Sequence, residues 1–239
     1  MKHLGETRSV RRHDHLLQTP DTFVRAPLPG MRNCTAVVHI SRAGGAGFTQ
    51  YTAEFSAGGE LPPSVDGRFI YVIDGQLNIG DRSLGSGGYA CLPASSEASI
   101  RAASEARAAV IEKPYLPLAG TTAPEFLVGH EPDVTPTHLG DDPALDVRAL
   151  VPENVAFDFA VNTMTYQPGA ALAGVEMHVM EHGLLMLAGG GIYRLSDCWY
   201  PVSEGDFIWM APYCPQWFGA IGKVPAKYLI YKDWNRHPR

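Results

Sequence analysis

The chain has 239 residues, 45% hydrophobic and 18% charged, enough for one large or two small domains with substantial cores. A net charge of −6 indicates no nucleic-acid surface, so an anionic substrate would have to be met by locally placed cations. No run approaches ~20 apolar residues, so no membrane span is expected, and the 25 glycines and 19 prolines favour turns and short strands over long helices.

Residues 1–30 read as an N-terminal arm. Arg8, Arg11 and Arg12 are followed by His13-Asp-His-Leu-Leu-Gln-Thr-Pro20, which is not the apolar core of a signal peptide. Cys34, Cys91, Cys198 and Cys214 are scattered without a C-x-x-C, so buried thiols in a cytoplasmic protein are expected rather than bridges. A first domain over 31–113 is a succession of short strands. Cys34-Thr-Ala-Val-Val-His-Ile40 is apolar and β-branched, with His39 as a satisfied core histidine. Further strands are expected at Phe48–Phe55, Phe69–Asp74, Gln76–Ile79, Gly87–Pro93 and Ala108–Lys113. The glycines of Gly44-Gly-Ala-Gly-Phe48 lack the strand–loop–helix setting of a phosphate loop. Spacing of this kind indicates a β-sandwich or barrel.

Residues 114–152 hold seven prolines and read as an inter-domain connection. From 153 to 239 the first pattern recurs. Met164–Gly169 answers Glu54–Gly58, Leu185–Gly190 answers Ile70–Gly75, Glu204–Pro212 answers Gly87–Pro93, and Tyr228–Lys232 answers Val110–Lys113. Self-similarity at roughly 110 to 120 residues means a duplicated domain rather than a solenoid.

The chemistry concentrates in Glu176-Met-His-Val-Met-Glu-His-Gly183. On a strand, the even spacing of Glu176, His178 and His182 puts one carboxylate and two imidazoles on the same face, three corners of a divalent-metal site; Glu181 falls on the other face. The same letters contain His178-x-x-Glu181-His182, a zinc pattern on a helix. Gly183 in mid-helix would cost ~1 kcal/mol, and Gly189-Gly-Gly-Ile-Tyr reads as a turn into another strand, so the strand reading is preferred.

These residues resemble the cupin superfamily, twice over. Glu176-x-His178-x-x-x-His182, closed by Gly189, is similar to its first motif with the acid placed first; Gly205…Pro212…Gln216 is similar to the second, with Gln216 where a histidine usually stands. The resemblance implies an all-β fold of two tandem cupin barrels, double-stranded β-helices of jelly-roll type. Two imidazoles, a carboxylate and an amide oxygen leave octahedral positions open and suit manganese better than zinc. In the first copy Leu61–Phe69 contains no histidine and Gly67 stands where an acid is expected, so that barrel is expected to be metal-free and structural.

Within the superfamily, Asp14–Asp21, Gly44–Tyr51, Glu176–Gly183, Gly191–Leu195, Trp199–Val202, Gly205–Pro212, Gln216-Trp and Tyr228–Asn235 are similar to the (S)-ureidoglycine aminohydrolases, over nearly the whole chain. That resemblance implies a hydrolase acting on a C–N bond, releasing ammonia from ureidoglycine in purine (allantoin) breakdown, with one Mn2+ per chain. It implies Glu176, His178, His182 and Gln216 as metal ligands, and Tyr193, Tyr228, Lys232 and Gln216 near the substrate. Lys232 is the candidate partner of the substrate carboxylate, and Glu176 a ligand that also moves a proton. A small ureide is the expected partner, with a homo-oligomer and neither nucleic acid nor membrane. Two other classes stay open: another metal-dependent cupin enzyme, an isomerase or an iron dioxygenase that consumes oxygen, since two histidines and a carboxylate serve that iron chemistry too, and a non-catalytic bicupin that binds a small ligand.

Overall fold

The computed structural model describes residues 6–236. No α-helix occurs among them; the chain is strands joined by turns and single 3-10 turns, and no helix is long and apolar enough to cross a membrane. The strands used below are β1 (His15–Gln18), β2 (Arg32–Ile40), β3 (Thr49–Leu61), β4 (Gly67–Asp74), β5 (Gly88–Leu92), β6 (Ala106–Lys113), β7 (Leu127–His130), β8 (Leu145–Ala149), β9 (Ala160–Tyr166), β10 (His182–Ala188), β11 (Gly190–Leu195), β12 (Cys198–Ser203), β13 (Phe207–Met210), β14 (Gln216–Ala220) and β15 (Ala226–Lys232).

The chain forms two compact units, one of Val24–Val134 with Asn154–Asp158, the other of Met1–Phe23, Thr135–Glu153 and Phe159–Arg239. In the first, strand alternation points Tyr51, Ala53 and Phe55 of β3 and Ile70 and Val72 of β4 into one core with Leu77, Ile100 and Val110. In the second, Leu184 and Met186 of β10, Ile208 of β13 and Tyr228 and Ile230 of β15 close on Leu17, Tyr166, Tyr193 and Phe218. Each Leu, Ile, Val, Met or Phe among them, fully buried, contributes about 1.5–3 kcal/mol.

The repeat seen in the sequence is a repeat of topology. The first unit's sheet runs β7-β5-β4-β6-β3, with β2 added on β3; the second runs β1-β13-β10-β15-β9-β8. The inner order β5-β4-β6-β3 matches β13-β10-β15-β9, strand for strand. Gly75 after β4 and Gly189 after β10 hold equivalent turns at φ +77 and +64. A Cβ at either would come within 2.5 Å of the backbone oxygen of Glu105 or Pro225, so only glycine fits.

Two expected boundaries shift. The arm expected over 1–30 contributes β1, which pairs with β13 and buries His15 and Leu17 inside the second unit. The connection expected over 114–152 carries β7, paired with β5, and β8, paired with β9, and divides between the units after Val134.

Candidate active site

Strand β10 begins at His182, so the continuous strand expected over 176–182 is not what forms. The reason lies in the neighbours. His182 faces Met210, the last residue of β13, and Lys232, the last of β15. Ahead of His182 no flanking strand remains to pair with, and an extended chain without ladder bonds does not persist. The segment bends at Val179-Met180, and Glu176 makes an isolated bridge to Gln216 with reciprocal N–H···O bonds of 2.8 Å. The backbone N–H of Tyr213 donates to His178 O at 2.6 Å and ties the bend to the loop before β14.

This loop, rather than strand alternation, sets where Glu176, His178 and Gln216 lie. His178 Nε2 lies 3.0 Å from Glu176 Oε2. The rings of His178 and His182 stack with centroids 5.3 Å apart. Gln216, 4% exposed, presents Oε1 to the Tyr193 hydroxyl, which donates to it at 2.9 Å. The four residues differ in burial: His182 is 3% exposed, while the side chains of His178 and Glu176 are 32% and 37% exposed. Burial, then the neighbouring His178 and Lys232, push the His182 imidazole down to about 3. It therefore stays neutral, the form a metal requires. The side chains of Glu176, His178 and His182 are not drawn fully together: the group of three His, Cys, Asp or Glu side chains with donor atoms within 4.8 Å, among the described residues, is Asp14, His15 and Cys214.

Lys232 sits opposite His182 on β15 and is half-buried, not a solvated strand end. With the Asn162 amide oriented for hydrogen bonding, its oxygen accepts from Lys232 Nζ at 3.3 Å. Burial lowers the lysine's pKa, and Glu153 and Glu176 offset part of that. Tyr166 and Tyr228 hydroxyls are 2.9 Å apart, and Tyr228 also donates to Met164 Sδ at 3.3 Å. Burial raises the pKa values of Tyr166, Tyr193 and Tyr228, which keeps all three as neutral donors in an aromatic wall around Phe218. Glu181, set aside in the sequence, is buried and accepts from Trp209 Nε1 at 3.1 Å.

The donor set suits a divalent ion on its chemistry. A partly exposed carboxylate touches one imidazole, a second imidazole is held neutral, and an amide oxygen is oriented by a tyrosine.

The first unit has a different solution at the matching register. Arg68 pairs with Glu112 and Leu92 as His182 pairs with Lys232 and Met210. The buried Arg68 guanidinium binds Glu112 Oε1 at 2.6–2.7 Å and donates to Pro62 O at 2.7 Å, and Tyr51 donates to the same carboxylate at 3.2 Å. A fixed cation with its carboxylate stands at the register where the second unit has His182 and Lys232.

Comparison with known proteins places the chain in a family. The cupin-domain family model matches residues 162–231, spanning β9 to β15. The chain is 42% identical over 98% of its length to (S)-ureidoglycine aminohydrolase of Arabidopsis thaliana, covering 80% of that protein. It is 30% identical over 96% of its length to the (S)-ureidoglycine aminohydrolase of Escherichia coli K12, covering 92% of it. The chain belongs to the (S)-ureidoglycine aminohydrolase family. Members are hydrolases by name, and this chain is one. Its fold is similar to the crystal structure of protein Ylba from E. coli, with a TM-score of 0.85 at 27% identity, covering 98% of this chain and 96% of that one. Sequence reasoning missed Asn162, Tyr166 and the Tyr213 backbone. Asn162 stands in a strand that also carries Thr163 and Thr165, so its amide was not distinctive; Tyr166 reads as ordinary β-sheet aromatic, and the Tyr213 contact has no side-chain signature.

Proposed function

We propose that this member of the family hydrolyses (S)-ureidoglycine to (S)-ureidoglycolate and ammonia, with one Mn2+ per chain held by Glu176, His178, His182 and Gln216. The observation that carries this reading is the Glu176–His178 contact of 3.0 Å beside the stacked, neutral His182 ring. A bound ion of this kind supplies Lewis acidity and lowers the pKa of bound water.

The chain's own groups do the rest. In the reaction the C–N bond to the amine breaks, a water oxygen bonds to the same carbon, and the amine leaves as ammonia after gaining a proton. Glu176 is the group that moves this proton, since its carboxylate is reached by solvent and already shares a contact with His178. Lys232 holds the substrate carboxylate: its ammonium lies on the strand end beside His182, in surroundings where a charge pair is strengthened by burial. Tyr193 fixes the Gln216 amide, and Tyr228, backed by Tyr166, offers a hydroxyl to the substrate. The first unit is read as metal-free, its Arg68–Glu112 pair taking the place of the ligands.

Metal-stripped protein is assayed for ammonia release from freshly prepared ureidoglycine, with and without Mn2+, and the product is resolved by chirality. Ammonia that depends on Mn2+, with the (S) product, is the expected result. Oxygen uptake with iron and no ammonia would place the chain among oxygen-using cupins instead.

A further inference from the structure

A second cluster of metal-ligating side chains lies outside this site, within the same unit. Asp14 and His15 come from the start of β1, Cys214 from the loop between β13 and β14. Backbone bonds fasten the two pieces: Ala211 N–H donates to Asp14 O at 2.9 Å, Cys214 N–H to Ala211 O at 3.1 Å, and Ser196 N–H to Pro215 O at 2.8 Å. A carboxylate oxygen, an imidazole nitrogen and the thiol sulfur all lie within 4.8 Å of one another. His15 is 1% exposed and Cys214 is buried.

The two nitrogens of His15 have different surroundings. Nε2 is 2.9 Å from the Tyr200 hydroxyl, and Nδ1 is 2.9 Å from Asp14 Oδ1. Metal-bound imidazoles engage their second nitrogen with a fixed polar partner, which sets the tautomer. Tyr200 is that partner here, which leaves Nδ1, beside the Asp14 carboxylate, as the nitrogen offered to an ion.

We propose that Asp14, His15 and Cys214 form a second metal site, selective for a borderline ion such as Zn2+. Tetrahedral zinc with bonds of about 2.0–2.3 Å has ligand–ligand edges of roughly 3.3–3.6 Å; the 2.9 Å contact between Nδ1 and Asp14 Oδ1 would open by a few tenths of an ångström, and no ligand atom starts more than 4.8 Å from another. Thiolate and imidazole favour zinc, whereas the sulfur-free set at Glu176 favours a harder ion, so the two sites sort metals by ligand type. Binding transfers the Cys214 thiol proton to solvent. Zinc with one thiolate and one carboxylate is then neutral overall, which suits the burial. Occupancy would pin β1 to the loop that carries the Tyr213 N–H bound to His178 O and that leads into Gln216. The site does not depend on the ureidoglycine reading.

The test uses the full chain stripped of metal and titrated with Zn2+ and, separately, Co2+. The native chain is expected to show a thiolate-to-cobalt charge-transfer band in the near ultraviolet. H178A/H182A should keep the band and one zinc equivalent; C214S should lose both while keeping the native circular-dichroism spectrum and thermal transition, which show that it is folded. Absence of the band in the native chain overturns the proposal whether or not C214S folds. So does loss of all zinc in H178A/H182A, or an unchanged zinc count in C214S.

Discussion

Tyr193→Phe separates two roles that the site allows for this tyrosine. The substitution deletes one hydroxyl and leaves the ring packed 5.4 Å from Phe218. The lost bond is the 2.9 Å donation to Gln216 Oε1, between two buried residues. A buried acceptor deprived of its donor costs about 1–3 kcal/mol, so metal-free Y193F should be less stable by that amount. For a chain of this size that is roughly 2–4 °C in Tm per kcal/mol. If Gln216 Oε1 is a metal ligand, Tyr193 is the group that orients it, and loss of such a partner weakens metal binding about 10- to 100-fold. Calorimetric titration of Mn2+ into native and Y193F protein reads this directly. Mn2+ affinity unchanged, with KM for ureidoglycine raised, would refute the reasoning and make Tyr193 a substrate contact.

Three further outcomes follow from the same structure. Glu176→Gln should abolish ammonia release while most Mn2+ binding survives; a parallel loss of both would remove its proton-transfer role. Lys232→Met should raise KM roughly ten- to hundredfold, since a hydrogen bond to a charged group contributes about 1.5–3 kcal/mol, and a KM left at the native value would take Lys232 out of the substrate site. His39 tests the pH dependence of the first unit: burial pushes its imidazole down to about 3, and its Nε2 lies 2.8 Å from Thr52 Oγ1. The folded state thus binds fewer protons than the unfolded chain between pH 6.5 and 3, so this contribution is full above 6.5 and is lost as pH falls through that window. At pH 5 the loss is ~2 kcal/mol, and His39→Gln should lose that much less stability than native between pH 8 and 5 in urea unfolding; identical losses would contradict the assignment.

Much of this was legible in the sequence because it rested on local pattern. The continuous apolar runs in Phe69–Asp74 and in Leu185–Ala188, each ended by a glycine at positive φ, marked the paired central strands and the duplication. The strand His15–Gln18 was not legible. It is four residues long, and the neighbour that gives it a ladder, Phe207–Met210, is far away in sequence. The even spacing of Glu176, His178 and His182 singled out the candidate residues, but the strand that the spacing implied begins only at His182. Flanking strands that end at Met210 and Lys232 leave Glu176 and His178 on a bend, where the Gln216 bridge and the Tyr213 N–H set their positions. The Asp14–His15–Cys214 group joins segments about two hundred residues apart in sequence, and no spacing rule reaches that far.

The central claim is that one carboxylate, two imidazoles and one amide oxygen of the second unit share an ion. An anomalous difference map of Mn2+-soaked crystals tests it most directly. The account predicts a single strong peak per chain bounded by Glu176, His178, His182 and Gln216 Oε1, with nothing at Arg68 and Glu112. A peak elsewhere, or one that Gln216 does not approach, would contradict it.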